Sequence, residues 1–207
     1  MPKPITFLYI SLFALLAISC KNEAKNTNTS EVENINTEIT QTPVKRAAKK
    51  DLSPEDVAML KSVMSRVMYE NKLKKFTSYI VTAELTNQLA NEEGPFTVFA
   101  PSNASFESLP AEKVKFYANP ENRSELEEML KSHIVVGKMD NETLLQNVRK
   151  NGKTKLKTLA GNTITASQSG EVLTITDAKG GKATILNNGT EASNGVVYMV
   201  DGVLNAN

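Results

Sequence analysis

The stretch of sequence that decides the fold is residues 94–106, GPFTVFAPSNASF. Within it, the aromatic and β-branched residues 96–100 predict a short strand, and Pro101 ends that strand because proline has no backbone N–H to donate. Asn103 then begins a short helix that is predicted to direct Phe106 inward. The stretch therefore predicts a strand that runs directly into a helix.

Upstream of this stretch the pattern is helical. Ser53 is followed by Pro54 and by acidic residues, which is typical of a helix N-terminus, and apolar residues then recur at helical spacing over 57–68. A second amphipathic helix is predicted over 73–89. The methionines of this region are predicted to pack in the core rather than to form a sulfur-based site.

Downstream, helices give way to strands. Ser124 and Glu127 have the spacing of a capping box and predict a helix that runs to Ser132, and residues 140–152 predict another helix. Beyond it, alternating and β-branched segments are separated by turns that contain glycine or asparagine. This segregated order predicts an α+β domain rather than a parallel doubly wound sheet. The predicted strands are 156–159, 163–167, 172–176, 183–186 and 196–204.

The N-terminal residues predict export and lipidation. Lys3 precedes an apolar run at residues 5–18, which is shorter than the roughly 20 residues that a spanning helix needs, so residues 1–19 are predicted to be a signal peptide. Cys20 is the only cysteine of the protein, and no second thiol exists for a disulfide or a metal cluster. Its position resembles a bacterial lipobox. Cys20 is therefore predicted to be a lipid anchor, and an incidental cysteine after an ordinary signal peptide is the alternative.

A tether is predicted between the anchor and the folded domain. Residues 20–50 contain the lipidated cysteine and a segment rich in Asn, Thr, Glu and Lys without aromatic residues, which buries too little surface to order its backbone. Its basic cluster around Lys49 is interpreted as a solubilising linker, with contact to acidic envelope polymers as the alternative. Residues 51–207 have the length of one ordinary domain.

The composition argues against several classes of function. The 24 basic and 23 acidic residues nearly balance, and the chain lacks tryptophan, so neither a basic field nor a base-stacking platform for nucleic acid is predicted. No Gly-x-Ser-x-Gly motif accompanies the single histidine, and the neighbouring carboxylates Glu127 and Glu128 point in different directions on a helix. We therefore predict no enzymatic activity, no catalytic residue, no metal site and no cofactor.

Four segments together resemble the fasciclin domain family. Residues 94–106 are similar to the first signature of that family, 130–137 to its central segment, 158–165 to its later strand pair and 192–204 to its closing signature. The resemblance covers roughly 72–204, in order and at the spacing of the family. It implies a twisted two-sheet β-wedge flanked by helices, used mainly for adhesion and extracellular binding, without catalytic residues.

The only histidine, His133, falls in the central segment. In some animal members of the family, a Tyr-His pair in this segment and an Asp-Ile pair before the closing Asn-Gly are linked to integrin binding. Here Ser132 precedes His133, and Gly189 and Thr190 stand where Asp-Ile would fall, so integrin-type recognition is not expected. Because its helical spacing from Leu130 directs His133 inward, we interpret it as a structural hydrogen-bonding residue, with a binding or titrating role as the alternative.

These features predict a cell-envelope-anchored, non-enzymatic adhesion or interaction module. It would be held at the bacterial outer membrane through the lipid on Cys20 and would bind matrix, a cell-surface protein or a polysaccharide. The alternative is an envelope protein that binds a small molecule or a glycan. A deep apolar pocket with convergent polar groups would favour the alternative, whereas a broad exposed patch would favour the adhesion module.

Overall fold

The computed structural model describes residues 52–92 and 94–206, in which eight α-helices and eight strands are formed. The helices are α1 (Pro54–Leu60), α2 (Val63–Tyr69), α3 (Lys74–Thr82), α4 (Thr86–Asn91), α5 (Asn103–Glu107), α6 (Ala111–Ala118), α7 (Arg123–Lys131) and α8 (Asn141–Asn151). The strands are β1 (Phe96–Pro101), β2 (Ile134–Val136), β3 (Lys153–Lys157), β4 (Thr163–Ser169), β5 (Val172–Thr176), β6 (Lys182–Thr184), β7 (Thr190–Ala192) and β8 (Gly195–Val200).

The strands form two four-stranded sheets. The first sheet has the order β2-β1-β8-β7, in which β1 and β8 are parallel, and the second sheet has the antiparallel order β3-β4-β5-β6. Isolated bridges from Val135 to Thr158 and from Ile185 to Val200 join the two sheets. The predicted α+β class, with two sheets flanked by helices, is confirmed.

Strand β1 lies at the centre of the core and is buried along its whole length. Val98 packs with Phe76, Leu126 and other residues of the helices, whereas its neighbour Phe99 packs between the sheets and stacks on Tyr198 with ring centroids 5.4 Å apart. Successive side chains of a strand point to opposite faces, so one strand contributes to both clusters. This explains why residues 96–100 are nearly all apolar rather than alternating with polar ones.

The sequence predicts a single N-terminal helix that runs to residue 68, whereas the structure contains two helices, α1 and α2. As predicted, α1 begins at Ser53, whose side chain accepts a hydrogen bond from the Asp56 backbone at 3.1 Å. The chain then turns, and Ser62 caps α2 by accepting from the Ser65 backbone N–H at 3.3 Å. Because of this turn, Leu60 at the end of α1 is 48% exposed, although helical spacing placed it in the core.

The second predicted helix is also interrupted. Helix α3 ends at Thr82 and α4 begins at Thr86, with Glu84 between them in a left-handed conformation at φ 59°. The backbone N–H of Leu85 donates to the carbonyl of Ile80 at 3.0 Å, which closes the turn. Glutamate is a good helix former, so its local propensity gives no sign of this break.

Two further sequence-based assignments need correction, and two elements were not predicted. The proposed capping box at Ser124 is wrong, because Ser124 is the second residue of α7 and Glu127 pairs with Lys131 at 2.5 Å. The last strand ends at Val200 rather than at Leu204. Helix α6 and the short strand β7 were not predicted, since neither carries a strong apolar period. The predicted helix over 140–152 is confirmed as α8, with Asp140 as its N-cap.

Candidate interaction site

The predicted anchor, Cys20, and the predicted tether lie outside the described residues. Within residues 52–92 and 94–206, no helix is both long and apolar enough to cross a bilayer. The same part of the chain contains no group of three or more His, Cys, Asp or Glu side chains placed to hold a metal ion.

His133 is fully buried and uses both ring nitrogens inside the protein. Its Nδ1 lies 2.8 Å from the carbonyl oxygen of Phe99, and its Nε2 lies 2.9 Å from the backbone nitrogen of Leu204. A carbonyl can only accept and an amide N–H can only donate, so Nδ1 carries the proton and Nε2 is the acceptor. The ring of Phe76 packs edge-on against the imidazole, with the two ring centroids 6.4 Å apart. His133 thus connects β1 to the segment that follows β8.

Burial lowers the pKa of His133 from its ordinary 6.5 to about 4. A charged imidazolium would lose its hydration in this position, which disfavours the protonated form. A proton on Nε2 would also face the N–H of Leu204, so protonation would replace a hydrogen bond with a contact between two donors. His133 is therefore neutral at neutral pH.

A second contact beside His133 holds the same C-terminal segment. The Asn205 side-chain nitrogen donates to the Ser132 hydroxyl at 3.1 Å, and the Asn205 backbone N–H donates to the Asp177 carboxylate at 2.7 Å. Asn205 has a φ of 56°, a conformation that asparagine tolerates better than most residues. Sequence reasoning missed Asn205 and Asp177, although an Asn directly after the closing apolar segment was an available signal.

Asn194 joins three separate parts of the domain. Its side-chain oxygen accepts from the Val63 backbone N–H at 2.8 Å, and its side-chain nitrogen donates to the carbonyls of Leu89 and Glu92 at 3.1 and 3.0 Å. The residue lies in the turn between β7 and β8 and is 8% exposed.

A cleft of about 210 Å³ opens where α2 faces β7 and β8. Tyr69, the last residue of α2, borders it with 78% of its surface exposed, and the preceding Met68 is 57% exposed, although its helical spacing predicted a core position. The cleft is lined by Arg66, Tyr69, Glu70, Leu73, Asn187, Thr190, Val197 and Met199.

The charged side of this cleft is held in place by the edge strand β7. The Arg66 Nε donates to the Glu191 carbonyl at 2.9 Å, and the Glu191 carboxylate pairs with Lys138 at 2.6 Å. The other guanidinium N–H groups of Arg66 make no hydrogen bond with the part of the chain that the structure describes. Thr190 lines the same cleft. The cleft therefore combines an oriented cation with an exposed aromatic ring.

A larger groove of about 560 Å³ lies between α3, α5 and α6. Tyr79 and Phe106 form its floor with ring centroids 5.0 Å apart, and Leu109 and Val114 extend the apolar surface. At one rim, Lys75 pairs with Glu107 at 3.1 Å. The groove is thus mainly apolar with charged residues at its edge.

Helices flank the two sheets, and His133, whose pKa is lowered, is a buried group that hydrogen-bonds with Phe99 and Leu204. The chain belongs to the fasciclin domain family, whose model matches residues 71–206. This confirms the resemblance inferred from the sequence. Members of this family are generally non-enzymatic, and fasciclin domains occur in cell adhesion molecules.

Individual relatives support the same conclusion. Protein sll1483 of Synechocystis is 36% identical over 129 residues, which cover 60% of this chain and 62% of that protein. Transforming growth factor-beta-induced protein ig-h3 of Sus scrofa is 34% identical over 125 residues, 60% of this chain and 16% of that protein. The chain thus spans less than two thirds of either relative. The FAS1 domain pair of the insect cell adhesion molecule Fasciclin I has the same fold, with a TM-score of 0.62 at 15% identity over 69% of this chain and 50% of that one.

Proposed function

We propose that this chain is an envelope-anchored interaction module whose fasciclin domain binds a protein partner at the Tyr69 cleft. The observation that carries the proposal is the 78% exposure of Tyr69 beside the cleft that Arg66 lines. Tyrosine and arginine are the side chains that most often dominate binding energy in protein interfaces, because they combine a large contact area with polar groups. Glu191 holds Arg66 in place before binding, which reduces the entropy lost when a partner docks.

The N-terminal residues support display at the membrane. Lipid on Cys20 would anchor the chain at the bacterial outer membrane, and residues 21–50 would hold the domain away from the lipid headgroups. The family of the domain fits this arrangement, since a fasciclin structure of the same fold comes from a cell adhesion molecule. The partner would be a matrix component or a protein on a neighbouring cell.

The test is an array of matrix proteins and glycans probed with the full chain in a non-ionic detergent. Tyr69→Ser should weaken binding to the recognised protein by about tenfold or more, the size of an interface hot spot. Phe116→Ser is the matched control, because Phe116 is another exposed aromatic residue, on α6. Binding that is unchanged in Tyr69→Ser, or equally weakened in both variants, would contradict the proposal.

The groove between α3, α5 and α6 favours a second candidate function, the binding of a small apolar ligand. Its volume and apolar lining fall within the range of small-molecule sites. A ligand at about 100 times its Kd would stabilise the domain by about 2.7 kcal/mol, which a thermal melt detects. Ala111→Trp, which places a large side chain at the groove, should abolish this stabilisation without affecting binding at the Tyr69 cleft.

A further inference from the structure

The second sheet has one covered and one uncovered face. Side chains that point toward α8 and the first sheet are buried, and they alternate along each strand with side chains that are exposed or half-buried. We call the uncovered side the outer face. The buried side is formed by Leu156, Ile164, Ala166, Leu173, Ile175 and Ala183.

Strand register arranges the outer face in rows. Lys155 lies opposite Thr165, which lies opposite Thr176, which lies opposite Lys182, so one row crosses all four strands with a lysine at each end. Neighbouring strands are about 4.8 Å apart, so the two lysines of this row are separated by about 14 Å at their Cα atoms. The face is therefore a broad surface rather than a pocket.

The outer face is positively charged. Lys153, Lys155 and Lys157 alternate along β3 at intervals of about 6.8 Å, and Lys182 lies on β6 at the opposite edge. None of the four makes an ion pair within residues 52–92 and 94–206. No acidic residue belongs to the registered rows of this face.

Three carboxylates border the second sheet, two in its turns and one that accepts a hydrogen bond from the backbone of β6. Asp177 accepts hydrogen bonds from the backbone N–H groups of Lys179 and Gly181 within the β5–β6 turn, and Asp201 accepts from the backbone of Thr184. Glu171 lies at the far end of the sheet, in the β4–β5 turn. None of these three carboxylates forms an ion pair with a lysine of the outer face.

Between the lysines, the face presents hydroxyl groups. These side chains are exposed or half-buried, and their hydroxyls make no hydrogen bond with the described part of the chain. A hydroxyl can both donate and accept, so the array suits a ligand that carries many hydroxyls of its own. The members of the array are Thr163, Thr165, Ser167, Thr174, Thr176 and Thr184.

We propose that the outer face binds an extended acidic polysaccharide. Its carboxylate or sulfate groups would pair with the lysines of β3 and β6, while its hydroxyls would exchange hydrogen bonds with the threonines between them. Nucleic acid is less suited, because no aromatic side chain on these rows offers a stacking platform. A membrane surface is also less suited, because Val172 at one corner is the only aliphatic side chain on these rows. This inference concerns a different surface from the Tyr69 cleft and does not depend on a protein partner there.

The test measures binding of the full chain, in a non-ionic detergent, to immobilised polygalacturonate and to neutral dextran. We expect the chain to bind polygalacturonate but not dextran. The affinity for polygalacturonate should fall as NaCl is raised from roughly 50 to 200 mM, because salt screens ion pairs. Replacing Lys153, Lys155 and Lys157 together by Gln should lower the affinity by about tenfold. The matched control replaces Lys61, Lys72 and Lys74 by Gln, which removes the same charge from exposed positions outside the two sheets. The control should change the affinity by less than about twofold.

Two further arms separate the ligand classes. Thr165→Val and Thr176→Val remove hydroxyls without changing charge, and together they should weaken polygalacturonate binding by about threefold or more. Single-stranded DNA and vesicles containing phosphatidylglycerol serve as competing polyanions. The proposal would be overturned if both lysine variants lost affinity for polygalacturonate equally, or if the valine variants kept the wild-type affinity. It would also be overturned if single-stranded DNA or the vesicles bound more tightly than polygalacturonate. Tyr69→Ser should leave polygalacturonate binding unchanged, so failure of one site is distinguishable from failure of the other.

Discussion

The side-chain oxygen of Asn194 accepts a hydrogen bond from the backbone N–H of Val63 at 2.8 Å, across 131 positions of sequence. Val63 is the first residue of α2, where backbone N–H groups have no partner within the helix. The family match begins at residue 71, so α2 lies outside it. This contact, together with the burial of Met64 and Val67, makes α2 part of the folded domain.

We expect the fragment 51–207 to unfold cooperatively and independently of reductant, because it contains no cysteine. A fragment that begins at residue 71 should be less stable by more than about 3 kcal/mol, because it exposes the core that Val63, Met64 and Val67 cover. Urea denaturation of both fragments measures the difference. Equal unfolding midpoints would show that α2 is dispensable.

Asn194→Ala should destabilise the fragment 51–207 by about 2–4 kcal/mol. The change removes three hydrogen bonds and leaves the Val63 N–H and the carbonyls of Leu89 and Glu92 without this partner in a buried position. Asn188→Ala is the control, since Asn188 is exposed and close in sequence. A loss below about 0.5 kcal/mol for Asn194→Ala would mean that water replaces the amide.

Local signals predicted the elements that local contacts stabilise. Helix α8 begins at Asp140, whose side chain accepts from Thr143 at 2.8 Å, and ends at Gly152 with a φ of 72°, so both ends are encoded within a few residues. The hairpins of the second sheet follow the same rule, because glycines such as Gly170 and Gly180 supply the positive φ that their turns need.

Features that depend on distant residues were not predictable in this way. The parallel pairing of β1 with β8 brings Phe96 opposite Gly195, and no local pattern specifies a partner so far away in sequence. The Tyr69 cleft also depends on distant residues. The sequence predicts that α2 is amphipathic, but only the packing of α2 against β7 and β8 determines which of its apolar residues are exposed. His133 was the exception, since its spacing from Leu130 indicated the inward side.

Cys20→Ala should release the protein from the membrane fraction. After removal of the signal peptide, acyl chains on Cys20 would be the strong hydrophobic anchor, at about 0.8 kcal/mol for each buried CH₂ group. Detergent phase partitioning of the wild-type and Cys20→Ala proteins measures this. Ser19→Ala is the matched control, because it keeps a small residue before the cysteine and should leave the protein in the detergent phase. Cys20→Ala protein that remains in that phase would contradict the lipid anchor.

His133 should make the stability of the domain depend on pH. Its pKa is about 4 in the folded state against an ordinary 6.5, so between these values the unfolded chain takes up a proton that the folded chain does not. The contribution of His133 to the free energy of unfolding is therefore fully present above pH 6.5. It decreases as the pH falls toward 4 and does not change further below that pH. At about 1.4 kcal/mol for each pH unit, the loss amounts to about 3 kcal/mol.

The His133→Gln variant separates this effect from that of the other ionisable groups of the domain. At pH 8 the variant should be less stable by about 1–3 kcal/mol, because glutamine cannot keep the bonds to both Phe99 and Leu204 in the same geometry. Toward pH 4 the difference between the two proteins should shrink or reverse, because only the wild type carries a group that the fold keeps neutral. Urea midpoints of fragment 51–207 at pH 8, 6 and 4.5 provide the measurement. A stability difference that stays constant with pH would contradict the lowered pKa of His133, whereas equal midpoints combined with lost binding to matrix would favour the binding role of His133 over the structural one.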